Sequence, residues 1–205
     1  MWPLSKMSIV SALDLLSTFV FALVGARVAA DRRMDYGGIA LIAAIAAISG
    51  GTLRNVFLNE RPIWLTDPWV LASVVFAVAI TIAMRTTKPI GKYLLVLDTF
   101  GLAFATVSGT QFSLTHGAPK YAAAILGMIT AVTGGLLRDI LCQVEPVLLH
   151  RETIGTSCLI GSIAYVSLTP TSLNVGLIAV IAGVTVFAVR GLSIYLNINL
   201  PKIKN

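Results

Sequence analysis

Residues 49–55 read Ser-Gly-Gly-Thr-Leu-Arg-Asn, and residues 133–139 read Thr-Gly-Gly-Leu-Leu-Arg-Asp. The two stretches lie 84 positions apart. Sliding the chain against itself by that offset also aligns, without a gap, Leu13-Asp14 with Leu97-Asp98, Gly25 with Gly109 and Pro62 with Pro146. Identity over 13–65 against 97–149 is only 12 of 53 residues, a weak score in a chain so rich in Ala, Ile and Leu. The weight lies in the coincidence of the rare types: the acid, the paired glycines, the arginine and the proline.

Working outward, the runs that carry these stretches are apolar and long. The 205 residues are 57% hydrophobic and 12% charged, and the mean hydropathy is +0.88. That leaves too little polar surface to cover a water-soluble globule. A spanning helix needs roughly 20 mostly apolar residues to cross about 30 Å of hydrocarbon. Seven candidate spans follow: 9–28, 37–58, 68–84, 93–113, 119–142, 153–169 and 173–195, of which the third and sixth are short. The expected fold class is an all-α polytopic membrane protein of seven transmembrane helices in a single membrane domain over residues 1–205. Repeat one covers about 8–84, repeat two about 93–169, and the seventh helix, about 173–195, stands outside. Three crossings per unit turn the second copy upside down, the inverted-repeat plan of many transport proteins.

The basic residues report orientation. Arg27, Arg32, Arg33, Arg85, Lys88, Lys92, Arg151, Arg190, Lys202 and Lys204 fall on one side, against Lys6, Arg61 and Lys120 on the other. By the positive-inside rule the C-terminus is expected to be cytoplasmic and the N-terminus external. Trp2, Trp64 and Trp69 then share the outer interface, where an indole keeps its N–H wet. The net charge of +6 sits at helix ends rather than in a stripe, which argues against a nucleic-acid partner. Lys6 followed by an apolar run and Val28-Ala29-Ala30 resembles a signal peptide, but Asp14 inside the run and the match of span one to span four favour a retained span. The segment 85–92, Arg-Thr-Thr-Lys-Pro-Ile-Gly-Lys, reads as a topology signal with lipid headgroups as a lesser possibility.

Gly50-Gly51 and Gly134-Gly135 admit two readings. Small residues allow close helix packing. Alternatively they break or kink the second and fifth spans, with Ser49, Thr52 and Thr133 adding hydroxyls to a polar path. Arg54 and Arg138 stand three residues beyond the second glycine of each pair, over the space it leaves. Snorkelling to a helix end is one explanation for such charges. The other is pairing, because Asp14 precedes Arg54 by 40 residues and Asp98 precedes Arg138 by the same 40. Two symmetry-related Asp/Arg pairs are expected, one toward each face. Cys142 and Cys158 carry no metal-ligand spacing and read as inert buried thiols. His116 and His150 fall in loops as ordinary solvated histidines. No cofactor, no metal site and no enzymatic constellation is evident.

The doubled Gly-Gly-x-Leu-Arg-[Asn/Asp] motif, the prolines Pro62 and Pro146 behind it, the Asp opening spans one and four, and seven spans together resemble the prokaryotic TRIC (trimeric intracellular cation channel) family, a UPF0126-type membrane family. The likeness covers about residues 8–195. It implies a homotrimer in the prokaryotic inner membrane, with one pore per subunit passing potassium and sodium. On that resemblance Gly50, Gly51, Gly134 and Gly135 are kink positions, and Arg54 and Arg138 lie along a pore lined by spans two and five. Asn55 and Asp139 are the next polar positions, and Asn55 departs from the family's aspartate. A small-amino-acid (glycine) transporter is the second reading, and a lipid-binding scaffold without transport the third.

Overall fold

The computed structural model describes residues 9–84, 91–144 and 153–196. The expectations for Trp2, Arg85, Lys88, Pro146, His150 and Arg151 lie outside them. Among the described residues there are eight helices: α1 (Ile9–Asp31), α2 (Tyr36–Phe57), the single turn α3 (Ile63–Thr66), α4 (Pro68–Met84), α5 (Gly91–Thr115), α6 (Lys120–Leu141), α7 (Thr153–Leu168) and α8 (Val175–Tyr195). By length and composition α1, α2, α5, α6 and α8 can each cross a membrane. The apolar α4 and α7 are shorter, at 17 and 16 residues.

The chain starts and stops these helices with ordinary local chemistry. The Asp35 carboxylate accepts from Gly38 N–H at 2.7 Å at the start of α2, and the Asn174 side chain accepts from Gly176 N–H at 2.7 Å at the start of α8. Four helices end on a left-handed residue: Arg33 after α1, Asn59 after α2, Gly117 after α5 and Gln143 after α6. At each, the following N–H reaches back to a carbonyl five residues earlier: Met34 to Ala29, Glu60 to Asn55, Ala118 to Ser113 and Val144 to Asp139. Arg33 and Gly117 are separated by the 84-residue offset, and so are Asn59 and Gln143. The backbone repeats where the residue types do not.

Helices α1, α2, α5 and α6 pack together at the centre. Helix α4 lies against α1 and α2, α7 against α5 and α6, and α8 against α5 and α7. Small side chains make the close approach: Ala22, Ala26 and Ala29 of α1 and Ala43 of α2 are fully buried. Cys142 and Cys158 are buried free thiols within this packing. The outward faces are apolar instead of polar, with Val75 and Phe76 of α4 and Val180 and Val184 of α8 all mostly exposed. Surfaces of that kind face hydrocarbon in a membrane protein.

The crossing of α2 and α6 shows what the first glycine of each pair packs against. A Cβ on Gly50 would lie 2.0 Å from the carbonyl oxygen of Thr130, and one on Gly134 would lie 2.1 Å from that of Ala46. Each first glycine thus presses on the other helix's backbone. The two contacts exchange under the 84-residue offset. They also run in opposite sequence directions, so the matching helices cross antiparallel. Both helices continue through their glycine pairs. Close packing is what Gly50 and Gly134 do.

Candidate ion-pair clusters beside the α2/α6 crossing

The second glycine of each pair has another task. A Cβ on Gly51 would sit 3.8 Å from Nη2 of Arg54, and one on Gly135 would sit 3.7 Å from Nη2 of Arg138. Each guanidinium folds over the bare backbone one turn back along its own helix. Arg54 is wholly buried and Arg138 is 5% exposed. Snorkelling therefore does not describe them, and each needs a counter-charge.

Each finds the acid 40 residues earlier. Arg54 Nη1 donates to Asp14 Oδ1 at 3.1 Å, and Arg138 Nη1 donates to Asp98 Oδ1 at 2.9 Å. Each also uses Nε on its neighbour in sequence, Arg54 donating to Asn55 Oδ1 at 2.9 Å and Arg138 to Asp139 Oδ1 at 2.8 Å. The two centres have one plan because the helices that carry them have one plan: the acid rides on α1 or α5, and the arginine on α2 or α6.

Beyond that plan they differ. Around Arg54, Ser108 of α5 donates to Asp14 Oδ1 at 3.1 Å, and the guanidinium carbon lies 4.0 Å above the ring of Phe112. Its Nη2 is buried with no hydrogen-bond partner. Asn55 donates its own amide hydrogen to the Arg61 carbonyl at 2.7 Å. An aspartate there has nothing to donate, which accounts for Asn55 standing opposite Asp139. Around Arg138, a second arginine joins from α8: Arg190 Nη2 lies 3.7 Å from Asp98 Oδ2, and Arg190 Nε donates to Thr99 at 2.9 Å. The sequence had placed Arg190 only among the basic residues of the cytoplasmic side. The signal available was its position, five residues before the end of a 21-residue apolar helix. Ser108 and Phe112 carried no signal among so many hydroxyls and aromatics.

The hydroxyls expected beside the glycines sit as follows. Thr52 donates to the Ile48 carbonyl at 2.7 Å and accepts from the Trp64 indole at 3.1 Å. Thr133 donates to Ile129 at 2.6 Å, and the Ser49 hydroxyl is buried without a partner. A half-open pocket lies beside the Arg54 pair, lined by Asp14, Ser17, Thr18, Gly50, Gly51, Thr52, Arg54, Trp64 and Thr130 among others. Asp14 is the carboxylate in its wall. With Arg54 opposite, the wall's formal charges cancel.

A family model described as glycine transporter matches the chain twice, over residues 11–86 and again over 95–170. UPF0126 inner membrane protein YadS of Escherichia coli K12 is 35% identical over 156 residues, 75% of this chain and 75% of that protein. The chain belongs to this UPF0126 membrane-protein family. The two matches are themselves offset by 84 residues. A UPF0126 membrane protein of Vibrio cholerae is 33% identical over 76% of this chain and 66% of its own length. Among solved structures, the UPF0126 fold described above is similar to the TRIC trimeric intracellular cation channel orthologue from Rhodobacter sphaeroides. The TM-score is 0.86 at 31% identity, covering 93% of this chain and 99% of that one. A TRIC cation channel solved for the basis of its conductance is similar at TM-score 0.82 and 26% identity, over 97% and 98% of the two chains.

Proposed function

We propose that this UPF0126 protein is a monovalent cation channel of the bacterial inner membrane. The observation that carries the reading is the likeness to the Rhodobacter sphaeroides cation channel orthologue along 93% of the chain. We take α1, α2, α4, α5, α6, α7 and α8 as seven transmembrane helices, the first six as inverted three-helix repeats. The antiparallel α2/α6 crossing and the paired helix ends support that arrangement. The N-terminus is external and the C-terminus cytoplasmic, as the placement of Lys and Arg argues. Three copies assemble, each with its own pore.

The pore runs beside the α2/α6 crossing, from the Arg54 cluster at the outer end to the Arg138 cluster at the inner end. Its physical logic is electrostatic neutrality in a low-dielectric setting. Each arginine is matched by carboxylate, so neither end presents a net positive barrier, and Asp14 offers oxygen to a partly dehydrated potassium or sodium ion. Opening requires α2 and α6 to part or bend where only glycines separate them, at Gly50-Gly51 and Gly134-Gly135.

The description of the matching family model favours one second reading, uptake of glycine. The unpartnered Nη2 of Arg54 beside the pocket suits a carboxylate. Planar-bilayer recording of the purified protein under a potassium chloride gradient separates the two. A channel gives unitary currents reversing near the cation equilibrium potential. Saturable glycine uptake into proteoliposomes, with no unitary steps, overturns the channel reading in favour of the transporter.

A further inference from the structure

His116 closes the α5 end of the chain of contacts that leads to Arg54. Its ring lies 3.9 Å from that of Phe112, nearly parallel at 18°. The Arg54 guanidinium carbon lies 4.0 Å from the same phenyl centroid. Two groups at that height cannot share one face of a ring, so Phe112 is clasped between imidazole and guanidinium. The two are therefore about 8 Å apart, twice the 4.0 Å spacing. Nδ1 of His116 is 2.8 Å from the Phe112 carbonyl oxygen. Since that oxygen only accepts, Nδ1 carries the hydrogen. His116 is exposed, whereas Arg54 is wholly buried.

We propose that His116 is a proton-sensing residue for the Arg54 end of the pore, acting through Phe112. The inference rests on the channel reading for its effect on current, though not for the coupling itself. Imidazole is the side chain whose charge changes between about pH 5 and pH 8. Once charged, it sets a second cation against a ring that already serves Arg54. Repulsion across the ring works on a guanidinium whose Nη2 has no hydrogen bond to hold it. Among the described residues the charged groups at this end are few, Asp67 before α4 being one of them. Arg54 faces from α2, Asp14 from α1 is its counter-ion, Glu60 and Arg61 follow α2, and Lys120 opens α6. Tyr165 is the titratable residue of α7 packed near Leu114 and Leu168, and α8 starts there without a charge. Acidification adds one positive charge to this mouth and lowers cation admission.

At the Arg138 centre the residues that match Phe112 and His116 at the 84-residue offset are Val28 and Arg32, so no imidazole stands at that position.

Two measurements on the full chain test this. In nuclear magnetic resonance of the wild type in micelles, the Arg54 Nε–H resonance should move with the same midpoint as His116, and His116→Gln should abolish that movement. Being exposed, His116 tolerates the substitution. An Arg54 signal that ignores the His116 midpoint overturns the proposal, whatever the currents do. In bilayers, unitary potassium current should fall about threefold or more between pH 7.5 and 5.5 in the wild type and stay level in His116→Gln. Equal falls in both overturn it as well. Absence of unitary current at either pH refutes the channel reading instead, and the resonance experiment then decides the coupling alone.

Discussion

Replacing each glycine of a pair by alanine, one at a time, separates packing from flexibility. At Gly50 the new methyl would stand 2.0 Å from the Thr130 carbonyl oxygen. A carbon and a carbonyl oxygen rest at about 3.3 Å or more, so α2 and α6 must part by more than 1 Å. Both sides of the contact are backbone, and no rotamer can yield. Overpacking of this kind costs about 1–3 kcal/mol, and a forced separation of two helices belongs at the upper end. Against it stands a gain of about 1 kcal/mol from removing a helical glycine. The net for Gly50→Ala, and for Gly134→Ala by the same geometry, is a loss of about 1–2 kcal/mol. Gly51→Ala and Gly135→Ala meet only a guanidinium nitrogen at 3.8 Å and 3.7 Å, which is ordinary contact. They keep the propensity gain and should be neutral or stabilised by up to about 1 kcal/mol. Neighbouring substitutions should therefore differ by about 2 kcal/mol, or several degrees in Tm for a chain of this length. Thermal unfolding in one detergent, followed by tryptophan fluorescence, reads the difference. Equal losses at Gly50 and Gly51 would refute the packing argument and return the pairs to a shared role as hinges.

Three further outcomes follow from the two clusters. Asp14→Asn should destabilise more than Asp98→Asn, by about 1 kcal/mol or more, because Arg138 keeps Asp139 while Arg54 keeps only Asn55 and a phenyl ring; paired unfolding curves check the order, and the reverse order would count against it. Asn55→Asp, though it adds a counter-charge, removes the donor to the Arg61 carbonyl and should yield no net gain and a loss of up to about 2 kcal/mol; a clear rise in Tm would contradict this. Arg190→Met removes the bond to Thr99 and one charge from Asp98 and should cost about 1–3 kcal/mol. In a double-mutant cycle with Asp98→Asn it should show coupling above about 0.5 kcal/mol, and additivity would dissolve the proposed link of α8 to the cluster.

The pairing of Asp14 with Arg54 and of Asp98 with Arg138 was legible in the sequence because acids and bases are scarce within apolar runs, and scarcity makes a repeated 40-residue spacing informative. The positions of the glycines over the guanidinium groups followed from helical spacing alone. What spacing does not contain is which side of a helix meets its neighbour. Gly50 and Gly51 differ by about 100° around α2, and only the crossing with α6 assigns one to backbone contact and the other to Arg54. Arg33 and Gly117 illustrate the converse. Their left-handed conformations match although their residues do not, because a Schellman ending is dictated by where the next helix must start, and arginine accepts the strain. Phe112 and Ser108 belong to types too common in such a chain to stand out, and Trp64 stood out only as an interface residue.

The least legible residue, Arg190, explains the asymmetry of the site. A chain made only of two equal units would carry two equal centres, each with one acid and one arginine. The helix outside the repeat has no counterpart, so whatever it contributes reaches one centre alone. Helix α8 packs on α5 and α7, and its Arg190 reaches Asp98 on α5 but has no equivalent near Asp14 among the described residues. A second arginine there needs a second carboxylate, and Asp139 is present where the other centre has Asn55. The departure at Asn55 and the extra charge at Arg190 are thus one feature: two acids balance two bases around Arg138, one balances one around Arg54, and both centres stay neutral. The four-charge centre is held from α5, α6 and α8, whereas Arg54 leans on a single carboxylate and an aromatic ring. In the proposed pore the Arg54 end is accordingly the one that yields first, and a stimulus acting on Phe112 is better placed to move it than one acting on the Arg138 end.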